Sequence, residues 1–239
     1  MIPLRDENPT LSPPHVTRLL IIANVIIFFL VWLSDYVTAL SGFEIMSLEE
    51  AIQRYGMTPY YIMNGRRLYT LFTSMFLHGG IVHLAGNMLY LHIFGDNIEY
   101  AFGRRRYLAF YLLCGVAASI AHILSITTPD DWLVPAVGAS GAISGVLGAY
   151  LFLYPKARVL TLVLVYWVYM VHIPAIFFLG FWFIFQFLEG MLTLGLGVAS
   201  GVAYWAHIGG FVVGMALAPI LRKRRPAPVR KEWSTYVSG

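Results

Sequence analysis

Three stretches of this chain carry side chains that could do chemistry together. Ser140 sits between glycines in Gly138-Ala139-Ser140-Gly141, with Gly145 and Gly148 following at helical spacing. His207 lies in Ala206-His207-Ile208-Gly209-Gly210, with Gly214 one turn further on. His83 and Asn87 are four residues apart, which places them on one face of a helix. A hydroxyl, an imidazole and a carboxamide are the groups of nucleophilic hydrolysis, in which the imidazole takes the serine proton and returns it to the leaving group. The glycines allow close approach of backbone to these groups, but small residues in apolar helices also serve plain packing. Whether Ser140 is a nucleophile therefore depends on what the rest of the chain brings to the same place.

The chain that must position these residues has 239 residues, 59% of them hydrophobic and 12% charged, with a mean hydropathy of +0.71. Soluble domains carry about a quarter charged residues, so the composition is that of an integral membrane protein. The net charge of +4 comes from short basic clusters between apolar runs, not from a stripe suited to nucleic acid. Cys114 is the single cysteine, which excludes an intrachain disulfide and a cysteine-based metal site. His78 and His83, five apart, make a poor metal pair on a helix, and no HExxH occurs. The polar start has no cleavable signal pattern.

Apolar runs predict six spans: Leu19 to Leu40, Val82 to Phe102, Tyr107 to Ile126, Ala139 to Tyr154, Ile173 to Leu188, and Val202 to Leu221. The expected fold class is all-α, a polytopic six-transmembrane-helix bundle. The first connection, from Ser41 to about Ile81, mixes charges with Tyr and Phe and suits a structured interfacial segment. Residues 159–172 are expected to be interfacial or re-entrant, the alternative being one long kinked fifth helix divided at Pro174. The domain expectation is a cytoplasmic segment over 1–18, a membrane domain over 19–221 and a mobile basic tail over 222–239. Arg5, Arg18, Arg104 to Arg106, Lys156, Arg158 and the cluster at Arg222 fall on one side of such a bundle. Both termini are therefore expected in the cytoplasm. That orientation implies a plasma or inner cell membrane and a site opening to the outer side.

With this topology Ser140 begins the fourth span just below the outer surface. His207 lies about 8 Å down the sixth at 1.5 Å per residue. His83 and Asn87 start the second span at the same level. Polar groups inside hydrocarbon face a bundle interior or a water-filled cavity, so four converging from three helices indicate a wet site. Gly141, Gly145 and Gly148 form one stripe and Gly210 and Gly214, beside His207, another; paired, they would let the two helices touch. Asp96 is at the wrong depth for a third catalytic member, leaving a Ser-His dyad. Asp96, Asn97 and Glu99 suit a cap or an ion-pair cluster beside Arg104 to Arg106. Asp35 suits the interface, and His122 suits a hydrogen-bonded position in the bundle.

Gly138 to Gly141, Ala206 to Gly214, and His83 to Asn87 (G-A-S-G, A-H-I-G-G-F-V-V-G and H-L-A-G-N) together resemble the three signatures of rhomboid intramembrane serine proteases. Their order and assigned helices match from about Leu68 to Leu221. The resemblance implies Ser140 as nucleophile, His207 as general base, and Asn87, His83 and the Ser140 backbone amide around the oxyanion. It also implies transmembrane protein substrates that enter sideways near the second and fifth spans, within the lipid bilayer. The chain departs from many relatives by having Tyr69-Thr70, with Arg66 and Arg67 earlier, where they carry a Trp-Arg pair. Ser144 stands where some carry an aromatic beneath the histidine ring.

Such hydrolysis needs water, a nucleophile, a base and oxyanion donors, and no metal or organic cofactor. Two rival functions share the sequence features. A non-proteolytic relative that binds membrane helices would be expected to lack Ser140 or His207. A small solute transporter would use the same wet cavity, but the chain has no internal repeat and its cavity-level polar groups lie in one half only.

Overall fold

The computed structural model describes residues 1–42, 46–164, 167–196 and 201–223. The described chain is predominantly helical. It opens with strand β1 (Ile2–Asp6), then helices α1 (His15–Trp32) and α2 (Ser34–Ser41). Three short helices follow: α3 (Leu48–Tyr55), α4 (Pro59–Met63) and α5 (Thr70–Thr73). The bundle continues with α6 (Ile81–Phe102), α7 (Arg104–Leu124) and α8 (Ser140–Leu153). A hairpin of β2 (Arg158–Leu164) and β3 (Val168–Pro174) leads to α9 (Ala175–Leu196) and α10 (Tyr204–Leu221).

Among the described residues, four helices, α1, α7, α9 and α10, are long and apolar enough to cross a membrane. Helix α6 has the length, at 22 residues, but His83, Asn87, His92, Asp96, Asn97 and Glu99 lower its hydropathy. Helix α8 has 14 residues and an unbroken buried run from Gly141 to Tyr150. At 1.5 Å per residue it is about 21 Å long, short of the hydrocarbon thickness. A helix apolar on all sides belongs in an interior, and α8 is the central element, enclosed by α6, α7 and α10.

The glycines set how close those neighbours come. A Cβ on Gly210 would run into the carbonyl oxygen of Gly141, and one on Gly214 into that of Gly145. On the other side, a Cβ on Gly141 would lie 2.5 Å from Cβ of Ala118, and one on Gly145 2.5 Å from Cβ of Cys114. Helix α8 thus touches α10 backbone to backbone and lies against the Cβ atoms of α7 on its other side.

The all-α expectation is corrected by a three-stranded antiparallel sheet of order β1-β2-β3. Residues 159–172 are not part of a kinked fifth helix. They form most of the β2–β3 hairpin, where Val159 and Thr161 are buried and their neighbours in sequence less so. Val and Thr at alternating buried positions suit a pleated strand. Pro174 ends β3, and α9 starts immediately after it, anchored by Ala175 N–H to the Ala157 carbonyl at 2.8 Å. Helix α9 continues through Gly190 and Gly195 to Leu196, past the expected end of the fifth span at Leu188. Helix α1 begins at His15 rather than Leu19 and breaks at Leu33, ahead of α2.

The first residues are folded into the domain rather than standing apart from it. The Asp6 carboxylate accepts hydrogen bonds from the Tyr150 hydroxyl at 2.6 Å and the Asn97 amide at 2.9 Å. Burial pushes the Asp6 carboxyl up to about 7; nearby Asp96 adds to this, while the bonds from Tyr150 and Asn97 oppose it. Glu99 accepts from the N–H groups of Val16 and Thr17, at 3.0 and 2.8 Å, and from the Thr17 hydroxyl at 2.9 Å. It therefore caps α1, whose own N-cap, Pro14, supplies no side-chain bond. Of the cap and the ion-pair cluster expected here, the cap forms. No ion pair to Arg104, Arg105 or Arg106 occurs among the described residues.

The first connection is structured. Ser47 and Glu50 form a capping box at α3. Tyr69 donates to the Arg54 carbonyl at 3.2 Å and Arg67 to that of Gln53 at 3.1 Å, so these two residues brace the segment. Met57 pairs with Ala136, which ties the connection to the chain just before Ser140. The expected tail lies outside the described residues from 224 onward, and the side chain of Asp35 is likewise outside them.

Candidate active site

Ser140 is the first residue of α8, and His207 lies in the first turn of α10. Because Gly210 and Gly141 bring the two backbones together, the Ser140 Oγ and His207 Nε2 are 2.8 Å apart. The other ring nitrogen, Nδ1, is 2.7 Å from Oε1 of Gln186 on α9. A carboxamide oxygen only accepts, so Nδ1 carries the proton and Nε2 offers its lone pair to the serine hydroxyl.

The surroundings of Ser140 suit negative charge. The N–H groups of Ser140, Gly141 and Ala142 precede the first intrahelical bond of α8, from Ile143 to Ala139 at 2.9 Å. They form the positive end of the helix. Asn87 is buried, and its Nδ2 has no hydrogen-bond partner among the described residues. His83 lies beside Gly138: a Cβ there would be 2.9 Å from both Cε1 and Nε2 of the ring and 3.6 Å from the Ser140 Oγ. The φ of +129° at Gly138, with its N–H held by the Ser74 carbonyl at 2.9 Å, is a further reason for glycine at this position. His78 supports the His83 ring edge-on, with centroids 5.1 Å apart.

These groups line one cavity of about 990 Å³. Ser140, His207, His83 and Asn87 all reach it, and so does His122, for which the sequence suggested only a structural place. Gly141, Gly145, Gly210 and Gly214 form the seams behind it. Between α6 and α9, Phe178 stacks on Tyr90 and Phe94 and closes the seam toward the C-terminal half of α6. Beyond that contact, Val82 and Gly86 of α6 and Trp182 and Gln186 of α9 line the cavity.

A match to the Rhomboid domain family model covers residues 65–224. The chain belongs to the rhomboid family. This rhomboid is 34% identical over 161 residues to RHOMBOID-like protein 6, mitochondrial, of Arabidopsis thaliana, covering 67% of the chain and 46% of that protein. It is 30% identical over 209 residues to Rhomboid protease GluP of Bacillus subtilis (strain 168), covering 87% of the chain and 35% of that protein. It is 30% identical over 144 residues to Rhomboid protein 1, mitochondrial, of Saccharomyces cerevisiae, covering 59% of the chain and 38% of that protein. The chain thus spans less than half the length of these relatives. Its apolar helices and its family make it a multi-pass membrane protein. Because two of these relatives are named mitochondrial, the expected plasma or inner cell membrane gives way to that broader statement.

Two residues of this rhomboid's site escaped the sequence analysis. Gln186 bonds His207, and the Trp182 ring lies against it with centroids 6.0 Å apart. A signal was available: Gln186 is a lone amide in a strongly apolar run, and such residues usually face a functional interior. Ser144, in the place of an aromatic, takes no part in holding the ring. Its hydroxyl donates to the Ser140 carbonyl at 2.7 Å.

Proposed function

We propose that this rhomboid is an intramembrane serine endopeptidase that hydrolyses a peptide bond in or next to a transmembrane segment of its substrates. The observation that carries this reading is the 2.8 Å approach of Ser140 Oγ to His207 Nε2 on the cavity wall. Oγ attacks the scissile carbonyl carbon while Nε2 takes its proton, and the carbonyl electron pair moves onto oxygen. Asn87 Nδ2, a His83 ring N–H and the Ser140 backbone N–H hold that oxyanion. Collapse breaks the C–N bond, and the imidazolium gives its proton to the departing amine. A water then attacks the acyl ester; His207 removes its proton and returns it to Ser140.

The proposal includes six spans, with α6 and α8 completing the set, both termini on the cytoplasmic side and the cavity opening outward. The domain would run over 19–221, with the segment 1–18 joined to it through β1. The α6–α9 seam beyond Phe178 is the proposed entrance for a substrate helix.

Incubating the purified protein in lipid vesicles with a panel of single-span membrane proteins tests the reading. Discrete cleavage products are expected, together with labelling of Ser140 by a fluorophosphonate. Cleavage by Ser140→Ala above a no-enzyme control would overturn it.

A further inference from the structure

We propose that Gln186 is a positioning residue for the reaction, acting through His207, and that α9 thereby supplies the third member of a Ser140–His207–Gln186 relay. The inference rests on the serine protease reading and deepens it. Gln186 is buried, and its Oε1 is 2.7 Å from Nδ1 of His207, while Nε2 of the same ring is 2.8 Å from Ser140 Oγ. The two ring nitrogens are therefore both engaged, by groups from two different helices.

That arrangement decides which nitrogen holds the proton. An imidazole free to choose its tautomer spends part of its time with the proton on Nε2, where it cannot accept one from serine. An acceptor fixed at Nδ1 removes that state and holds the ring in the plane of attack. Helix α10 offers little else for this task. The residue one turn into α8, Ser144, is turned to the Ser140 carbonyl at 2.7 Å. Trp182, one turn before Gln186, lies against the ring at 6.0 Å between centroids. The same face of α9 thus meets the imidazole at its edge and at its face.

A purely structural role for Gln186, that of filling a buried niche, predicts something different. Such a role tolerates any side chain of similar shape and has no preference for an acceptor over an apolar end. The relay requires an acceptor at that distance. It also ties competence to the seating of α9, because displacing that helix removes both contacts from the ring.

The test uses the full-length protein in vesicles, with a cleavable single-span substrate, and compares Gln186→Met with Gln186→Glu. Met keeps the length and volume but has no strong acceptor; Glu keeps the length and an oxygen. Gln186→Met is expected to lower kcat by roughly 10–100-fold with KM within about 3-fold, and to slow fluorophosphonate labelling of Ser140 in parallel. Gln186→Glu is expected to retain kcat within about 10-fold of the parent, since an ionised carboxylate can only accept. An unchanged kcat in Gln186→Met overturns the relay, and so does an equal loss in both variants with a lowered melting temperature. Failure of the underlying protease reading shows separately, as absence of cleavage and of Ser140 labelling in the parent protein.

Discussion

The backbones of Gly210 and Gly141 meet so closely that a methyl group on the first would overlap the carbonyl oxygen of the second. This contact, one turn from His207 and next to Ser140, sets the separation of the two helices that carry the dyad. Gly210→Ala must therefore push α10 away from α8. Overpacking of this kind costs about 1–3 kcal/mol, and a shift of an ångström at the dyad costs about 100-fold in rate. A lowered melting temperature and a kcat reduced at least about 10-fold are expected. Unchanged thermal unfolding and turnover would show that the helices can part without consequence.

The dyad is expected to act as a unit. Ser140→Ala and His207→Ala should each abolish turnover, and the double variant should be little worse than either. Activity of the parent should rise with pH as the imidazole gives up its proton. Single-turnover kinetics on the three variants measure this, and additive losses would mean that the two side chains work independently.

Asn87 presents a buried Nδ2 with no partner among the described residues, an arrangement that suits a donor used only when charge develops. Asn87→Ala is expected to lower kcat by roughly 10²–10³ with little effect on unfolding temperature. A change confined to KM would make Asn87 a substrate-positioning residue instead.

Asp6 gives the fold a pH dependence remote from the cavity. Its carboxyl is raised from 3.8 to about 7, mainly by burial. With the folded value above the unfolded one, its favourable contribution is complete below about pH 4 and is lost as pH rises through about 7. Asp6→Asn keeps a carbonyl acceptor for Tyr150 and Asn97 without the charge. It should flatten the decline in melting temperature between those limits. A decline as steep as the parent's would assign the pH dependence to other groups.

The helices around the cavity were legible because each is an apolar run broken by polar residues of definite type. The serine and histidine could be set at one level by counting residues along their spans. The hairpin was not legible. Leu160, Leu162 and Val163 make 158–174 apolar on both faces, and a short apolar run does not distinguish strand from membrane helix by its period alone. Gln186 was visible as a polar interruption, yet its partner depends on how α9 is rotated against α10, which no local pattern encodes. Glu99 was visible as a capping group, but the helix it caps, α1, lies far away along the chain.

The pairing of β1 with β2 has a consequence for biosynthesis. Strand β1 is translated well before its partner, which begins at Arg158 and follows α8. Strand β1 must therefore stay unpaired while the intervening helices partition into lipid, and the sheet closes late, as a non-local contact with a large loop to bridge. When it closes, Asp6 reaches Tyr150 near the end of α8, so the segment around β1 latches the helix whose other end carries Ser140.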